Sequence, residues 1–174
     1  MKKLSLLFIL PLILLVGGCY NPFYPKTEEG ELIRPVEPEL VIDNLVMAFN
    51  SRDIVGYVNC LDPDSFRFFF DSAEDSIEEI LRQNLGLDSL YWGLEEERFS
   101  TEALFSSVSY LYLEMIYVGG FRPSDDRAVL YYDYHLEIVP SPERKPIEGR
   151  AYFILKRHDN GLWFILEWHD FTYG

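Results

Sequence analysis

Asn160-Gly161 is the pair of residues that most narrows what this chain can become. It stands between two runs rich in aromatic and branched side chains, residues 149–157 (GRAYFILKR) and 162–171 (LWFILEWHDF), and Asn-Gly so placed is the strongest short-range signal for a two-residue hairpin turn. Such a turn fixes the pairing. Asp159 faces Leu162, Leu155 faces Leu166 and Phe153 faces Trp168. Alternation then gathers Ala151, Phe153, Leu155, Phe164, Leu166 and Trp168 on one face, with Asp170 at its far end. The other face mixes Tyr152, Ile154, Lys156, Trp163, Ile165, Glu167 and His169. A long hairpin with one apolar face must be covered, and the rest of the chain has to supply the cover.

The first residues do not take part in it. Lys2 and Lys3 precede an apolar run, residues 4–16, broken only by Ser5 and Pro11, and Gly17-Gly18-Cys19 follows. The run falls short of the ~20 apolar residues that a spanning helix needs. Small residues directly before a cysteine resemble the lipobox of bacterial lipoproteins. That resemblance implies a signal peptide over 1–18, a mature chain beginning with a diacylated Cys19, and a cell-envelope location. The absence of Asp after the cysteine points to the outer membrane if the cell is Gram-negative. Residues 19–37, with Pro22, Pro25 and Pro35 and no periodicity, read as a lipid-anchored tether, and 38–174 as one domain.

The formal net charge is −14, and losing Lys2 and Lys3 with the signal makes the remainder more acidic still. That balance argues against nucleic acid or an anionic membrane surface as partner. Of the two cysteines only Cys60 is left once Cys19 carries lipid, so no internal disulfide is expected and stability must come from the core.

Within the domain, Leu40, Val41, Asn44, Leu45, Ala48 and Phe49 recur at helical spacing behind Pro38. Asn50-Ser51-Arg52-Asp53 interrupts, and Asp53 caps a second short helix through Ile54, Val55, Val58 and Leu61. Asp62-Pro63-Asp64-Ser65 forms a turn into a short strand, 66–70, and Ser76-Ile77-Glu78-Glu79 starts a third helix ending near Gly86. From Leu104 the chain reads as strand: 106–118, a loop over 119–126, 127–139, a loop over 140–146, and the final hairpin. Helices followed by a four-strand antiparallel meander make an α+β domain with its helices on one face of a curved sheet.

The paired opening helices around Asn50-Ser51-Arg52-Asp53, the Cys60-Leu61-Asp62-Pro63-Asp64 lead into a strand, and the ending Gly161-Leu162-Trp163-Phe164-Ile165 with Trp168-His169-Asp170-Phe171 resemble the cone-shaped, nuclear transport factor two-like superfamily. That group includes polyketide cyclases, ketosteroid isomerases and limonene epoxide hydrolases, and the resemblance spans most of the chain after the tether. It implies a conical pocket between helices and sheet; it implies no particular reaction. The isomerase base position falls on Phe70 or Asp71. The hydrolase pattern of Arg-x-Asp plus a last-strand Asp finds Asp170, but its only triplet, Arg157-His158-Asp159, lies at the hairpin tip.

Strand parity sends Glu114, Asp133, His135, Glu137, Lys156 and Glu167 outward, leaving Asp170 and Asp71 as the titratable candidates for a pocket. His135, His158 and His169 have no metal spacing and read as solvated, Glu95-Glu96-Glu97 as a solvated run, and Cys60 as a small buried hydrophobe, so neither metal nor cofactor is expected. Tyr110, Tyr112 and Tyr131 fall on the outer sheet face, a surface suited to homodimer contact. Two functions follow. One is a non-catalytic domain that binds a small apolar molecule or a protein. The other is an enzyme of isomerase, cyclase or hydrolase type on a small hydrophobic substrate, with Asp170 and Asp71 as base and Tyr57 or Tyr132 as hydrogen-bond donor.

Overall fold

The computed structural model describes residues 32–70, 91–139 and 146–173. The expected third helix and Asp71 lie outside these residues. Helix α1 (Pro38–Ser51) starts with its proline where no N–H is needed and buries Val41, Ile42, Asn44, Leu45, Ala48 and Phe49. It stops at Arg52, which takes a left-handed conformation at φ 58°. The Arg52 guanidinium then donates to the carbonyls of Phe105 and Val108, at 3.2 and 2.9 Å, at the end of a later helix. Asp53 caps α2 (Ile54–Val58) by accepting from the Gly56 N–H.

Among the described residues, six strands form one open sheet in the order β2-β1-β6-β5-β4-β3. They are β1 (Arg67–Phe69), β2 (Tyr91–Trp92), β3 (Tyr110–Ser124), β4 (Arg127–Val139), β5 (Ile147–Arg157) and β6 (Trp163–Thr172), with α3 (Leu94–Ser107) between β2 and β3. Every pairing is antiparallel except β1 on β6, which is parallel. The α+β architecture with helices on one face of a curved sheet is thus present. Asn50 joins the layers: its side-chain amide gives a hydrogen bond to the Leu113 carbonyl and takes one from the Leu113 N–H, at 2.8 and 2.7 Å.

Three expectations about the strands need correction. Residues 104–107 belong to α3, because Leu104 and Phe105 pack from a helix onto the core, and strand begins only at Tyr110. The supposed loop over 119–126 is mostly strand: β3 runs to Ser124 with irregularities at Tyr117/Gly119 and Phe121/Ser124, and the turn is just Asp125-Asp126. The glycines there let the strand bulge without ending it.

The third correction concerns the hairpin. Gly161 adopts φ +79°, its N–H bonds the His158 carbonyl, and the His158 N–H bonds the Leu162 carbonyl, so the loop has three residues, not two. Arg157 therefore pairs with Trp163, Lys156 with Phe164 and Leu155 with Ile165. An irregularity between Ile154 and Leu155 then restores the expected pairing, with Phe153 on Trp168 and Ala151 on Asp170. Near the tip the faces are accordingly exchanged. Trp163 and Ile165 are buried, at 2% and 0% exposure, while Phe164 and Leu166 are half-buried on the outer side.

The segment read as the end of the tether meets the domain. The Trp163 N–H donates to the Pro35 carbonyl, Ile33 exchanges backbone hydrogen bonds with the Asn44 amide, and Glu37 pairs with Arg122 at 2.6 Å.

Candidate functional site

A cavity of about 190 Å³ lies between α2 and α3 and the concave side of β3, β4 and β6. Phe49, Phe68, Leu104, Leu113, Met115 and Leu136 make most of its wall. Its polar groups come from five elements: Tyr57, Trp92, Glu97 with Ser100 and Thr101, Tyr134, and Trp168 with Asp170.

Glu97 is the centre of this set, and sequence reading missed it. It was expected in a solvated acidic run, yet it is buried, whereas Glu95 and Glu96 beside it are exposed. Glu97 is one turn before Thr101 and two before Phe105, which are the other buried positions of α3. Tyr57 donates to its Oε1, Thr101 to the same oxygen at 3.2 Å, and the Trp92 indole to Oε2 at 2.8 Å. Burial pushes its pKa above the ordinary carboxylate value; the three donors work against that shift, and the charge of Asp170 adds to it. Tyr57 is likewise held neutral, chiefly by burial and next by the neighbouring Glu97. One signal was available. Glu96 accepts from the Gly93 N–H at 3.1 Å, the reach-back of a helix start, and it fixes the phase that turns Glu97 inward.

Asp170, named from the sequence, does reach the cavity. Tyr134 lies over it, its hydroxyl 3.4 Å from Asp170 Oδ2 and 3.3 Å from Thr172 Oγ1. That approach requires Gly149, where a Cβ would lie 2.5 Å from the Tyr134 hydroxyl and from the Phe171 carbonyl. Burial raises the Tyr134 phenol to about 12, so it stays a hydrogen-bond donor at neutral pH. The indole N–H of Trp168, in a residue 8% exposed, has no hydrogen-bond partner among the described residues.

Tyr57 and Asp170 are thus brought to one cavity; Tyr132 is not. It sits in the core against Tyr117 and Phe153, because its position on β4 is one pair nearer the hairpin tip than Tyr134. Cys60 is buried, its thiol pushed up to about 12 mainly by burial, in keeping with a core role.

The histidines expected to be solvated all have partners. His158 Nε2 is 2.7 Å from Asp62 Oδ2, His135 contacts Glu137 and Glu148, and His169 contacts Glu167 while stacking on Phe69 at 4.2 Å. Among the described residues no group of acids, histidines and cysteines has the arrangement of a metal site.

Two carboxyl groups in a half-open, largely apolar pocket, one favouring its protonated form, can do two things. They can hold a ligand's polar end, or pass a proton to and from it.

No protein-family model matches the chain, and no curated protein does. Solved structures resemble it. An NTF-2 like protein of unknown function from Shewanella oneidensis is 12% identical, with a TM-score of 0.56 over 75% of this chain and 92% of that one. A protein with a cystatin-like fold from Caulobacter vibrioides is 13% identical, with a TM-score of 0.58 over 78% and 87%. A candidate aromatic ring hydroxylase from Novosphingobium aromaticivorans is 16% identical, with a TM-score of 0.55 over 80% and 92%. Identities this low carry the fold alone. Helices laid across an open six-stranded sheet, with those likenesses, give this chain the cystatin-like, nuclear transport factor two-like fold.

Proposed function

We propose that this chain is a lipid-anchored protein of the cell envelope whose cone-shaped domain takes up a small, largely apolar molecule. The observation that carries the ligand is the cavity of about 190 Å³ with the buried Trp168 N–H beside it. A buried donor without a partner among the described residues forfeits about 1–3 kcal/mol, which an acceptor on a ligand restores. A closed cavity of ~150 Å³ takes benzene, and this half-open one of about 190 Å³ suits a molecule of similar size. The anchor rests on Cys19 and its flanking sequence.

Native mass spectrometry of the full chain purified from its own host, followed by denaturing extraction, tests both parts. A copurifying small molecule is expected, with the added mass of acyl chains on the protein; an empty, unacylated chain would sink the reading.

One observation favours catalysis as a second reading: Glu97, with its raised pKa, and Asp170 share the cavity. Asp170→Asn separates the two. In a binding protein it costs on the order of 1 kcal/mol of stability and leaves the extracted ligand present; in an enzyme it abolishes turnover of that molecule.

A homodimer through the outer sheet face belongs to the same proposal. There the rings of Tyr131, Tyr152, His169, Phe69 and Tyr91 follow one another across five strands at 4.2 to 5.4 Å, and Tyr112, opposite Glu137 further along the same face, is 40% exposed. Sedimentation over a concentration series is expected to show a monomer–dimer equilibrium that Tyr112→Glu weakens.

A further inference from the structure

We propose that the molecule taken up in the cavity is an uncharged ring compound carrying an ester or ketone oxygen, and that this oxygen accepts a hydrogen bond from the Trp168 indole. The proposal rests on the ligand-binding reading and adds the ligand's charge, its polar group and the residue that reads that group.

Two indoles line the cavity, and they differ in their partners. The Trp92 N–H donates to Glu97 Oε2 at 2.8 Å, whereas the Trp168 N–H has no partner among the described residues. An indole N–H only donates, so an acceptor is what completes it. The Trp168 ring is held in place, 8% exposed and packed against Phe68 and Phe153 with ring centres 5.3 and 5.0 Å away. Glu97 does not serve it, because Oε1 already takes the hydroxyls of Tyr57 and Thr101, and Oε2 takes Trp92. Ser100, half-buried in the same wall, adds a rotatable hydroxyl. An ester brings two oxygens to this pair of donors.

Charge narrows the class further. No Lys, Arg or His among the described residues lines the cavity, so a carboxylate or phosphate would leave water with no counter-charge to meet it. A cation gains little. Burial favours the uncharged form of Glu97, its oxygens are occupied, and Asp170 has partners of its own, the Tyr134 hydroxyl among them. The apolar wall of Phe49, Phe68, Leu104, Leu113 and Met115 takes the ring.

Methyl benzoate, propylbenzene and benzoate are the probes, titrated into the full chain and into Trp168→Phe, which keeps an aromatic ring and removes the N–H. The variant is expected to bind methyl benzoate at least about fivefold more weakly and propylbenzene as the parent does, a difference that cancels the unequal hydrophobicity of the two probes. In the parent labelled with ¹⁵N-tryptophan, the three tryptophans give three indole signals. Methyl benzoate is expected to move one of them downfield, and propylbenzene is not. Where Trp168→Phe folds poorly, the parent's spectrum decides. Equal loss of both probes in the variant, loss of neither, or no downfield indole shift overturns the ester or ketone while leaving the ligand-binding cavity in place. Benzoate binding as tightly as its methyl ester overturns the uncharged class. Binding of none of the three overturns the cavity reading as well.

Discussion

Trp163→Ala is expected to cost about 3–5 kcal/mol, and Phe164→Ala, one residue on, about 1 kcal/mol. Trp163 is 2% exposed and packed into the core with the Arg122 guanidinium 5.7 Å from its ring centre, whereas its backbone N–H bond to the Pro35 carbonyl survives in the alanine variant. Phe164 is half-buried on the outer face, its ring 4.6 Å from that of His158. Urea midpoints of the two variants measure the difference. A two-residue turn at Asn160-Gly161 would place Phe164 inside and reverse the order. Equal losses, or a larger loss for Phe164, would refute the three-residue loop.

The same register decides where the cavity's polar groups go. With the three-residue loop and no correction, residues 163, 165, 167 and 169 would all face the helices, and Trp168 and Asp170 would face outward. The irregularity between Ile154 and Leu155 switches the parity of β6 halfway along, so that Trp163 and Ile165 fill the core near the tip while Trp168 and Asp170 face the cavity. A local departure from regular pairing thus places a functional side chain, a common use of bulges.

What could be read from the sequence follows from which signals are local. Periodicity of 3.6 in α1 and of 2 in β4 and β5 is carried by consecutive residues, so those elements and their buried faces were legible. So was Asp53 as a cap. The loop length depends on Gly161 adopting a left-handed conformation, and Asn-Gly suits the three-residue loop as well as the two-residue one. Asp170 was legible because the second parity error cancels the first before that position.

Glu97 was not legible in the hydrophobic pattern, for a different reason. The inward stripe of α3 is Glu97, Thr101 and Phe105, two polar residues to one apolar, and hydrophobic periodicity has nothing to count there. Its burial becomes reasonable only when Tyr57, from 40 residues earlier, supplies a hydrogen bond. Polar sites assembled from distant elements leave little trace in any one of them.

Asp62→Ala is expected to remove about 3–5 kcal/mol at pH 7, with a loss that shrinks in acid. Asp62 is 1% exposed, although it stands in a turn motif that reads as surface. Its Oδ1 accepts from the N–H groups of Asp64 and Ser65, at 3.1 and 2.9 Å, and its Oδ2 takes the His158 Nε2 hydrogen at 2.7 Å. Backbone bonds from Asp62 N–H to Ile165 and from Ile165 N–H to Cys60 lie alongside, so this carboxylate ties the hairpin tip to the segment that carries Tyr57 toward the cavity. Burial would raise its pKa, but the hydrogen bonds of His158, Asp64 and Ser65 outweigh that and hold it below the ordinary carboxylate value. The unfolded chain therefore binds this proton more tightly than the folded one. Stability from Asp62 is complete above the ordinary value of ~3.9 and is lost as the pH falls through the lower folded one. Urea midpoints for the parent and Asp62→Ala should consequently lie far apart at pH 7 and draw together toward pH 2–3. A gap that stays constant or widens in acid would show that Asp62 acts by filling space and not by its charge.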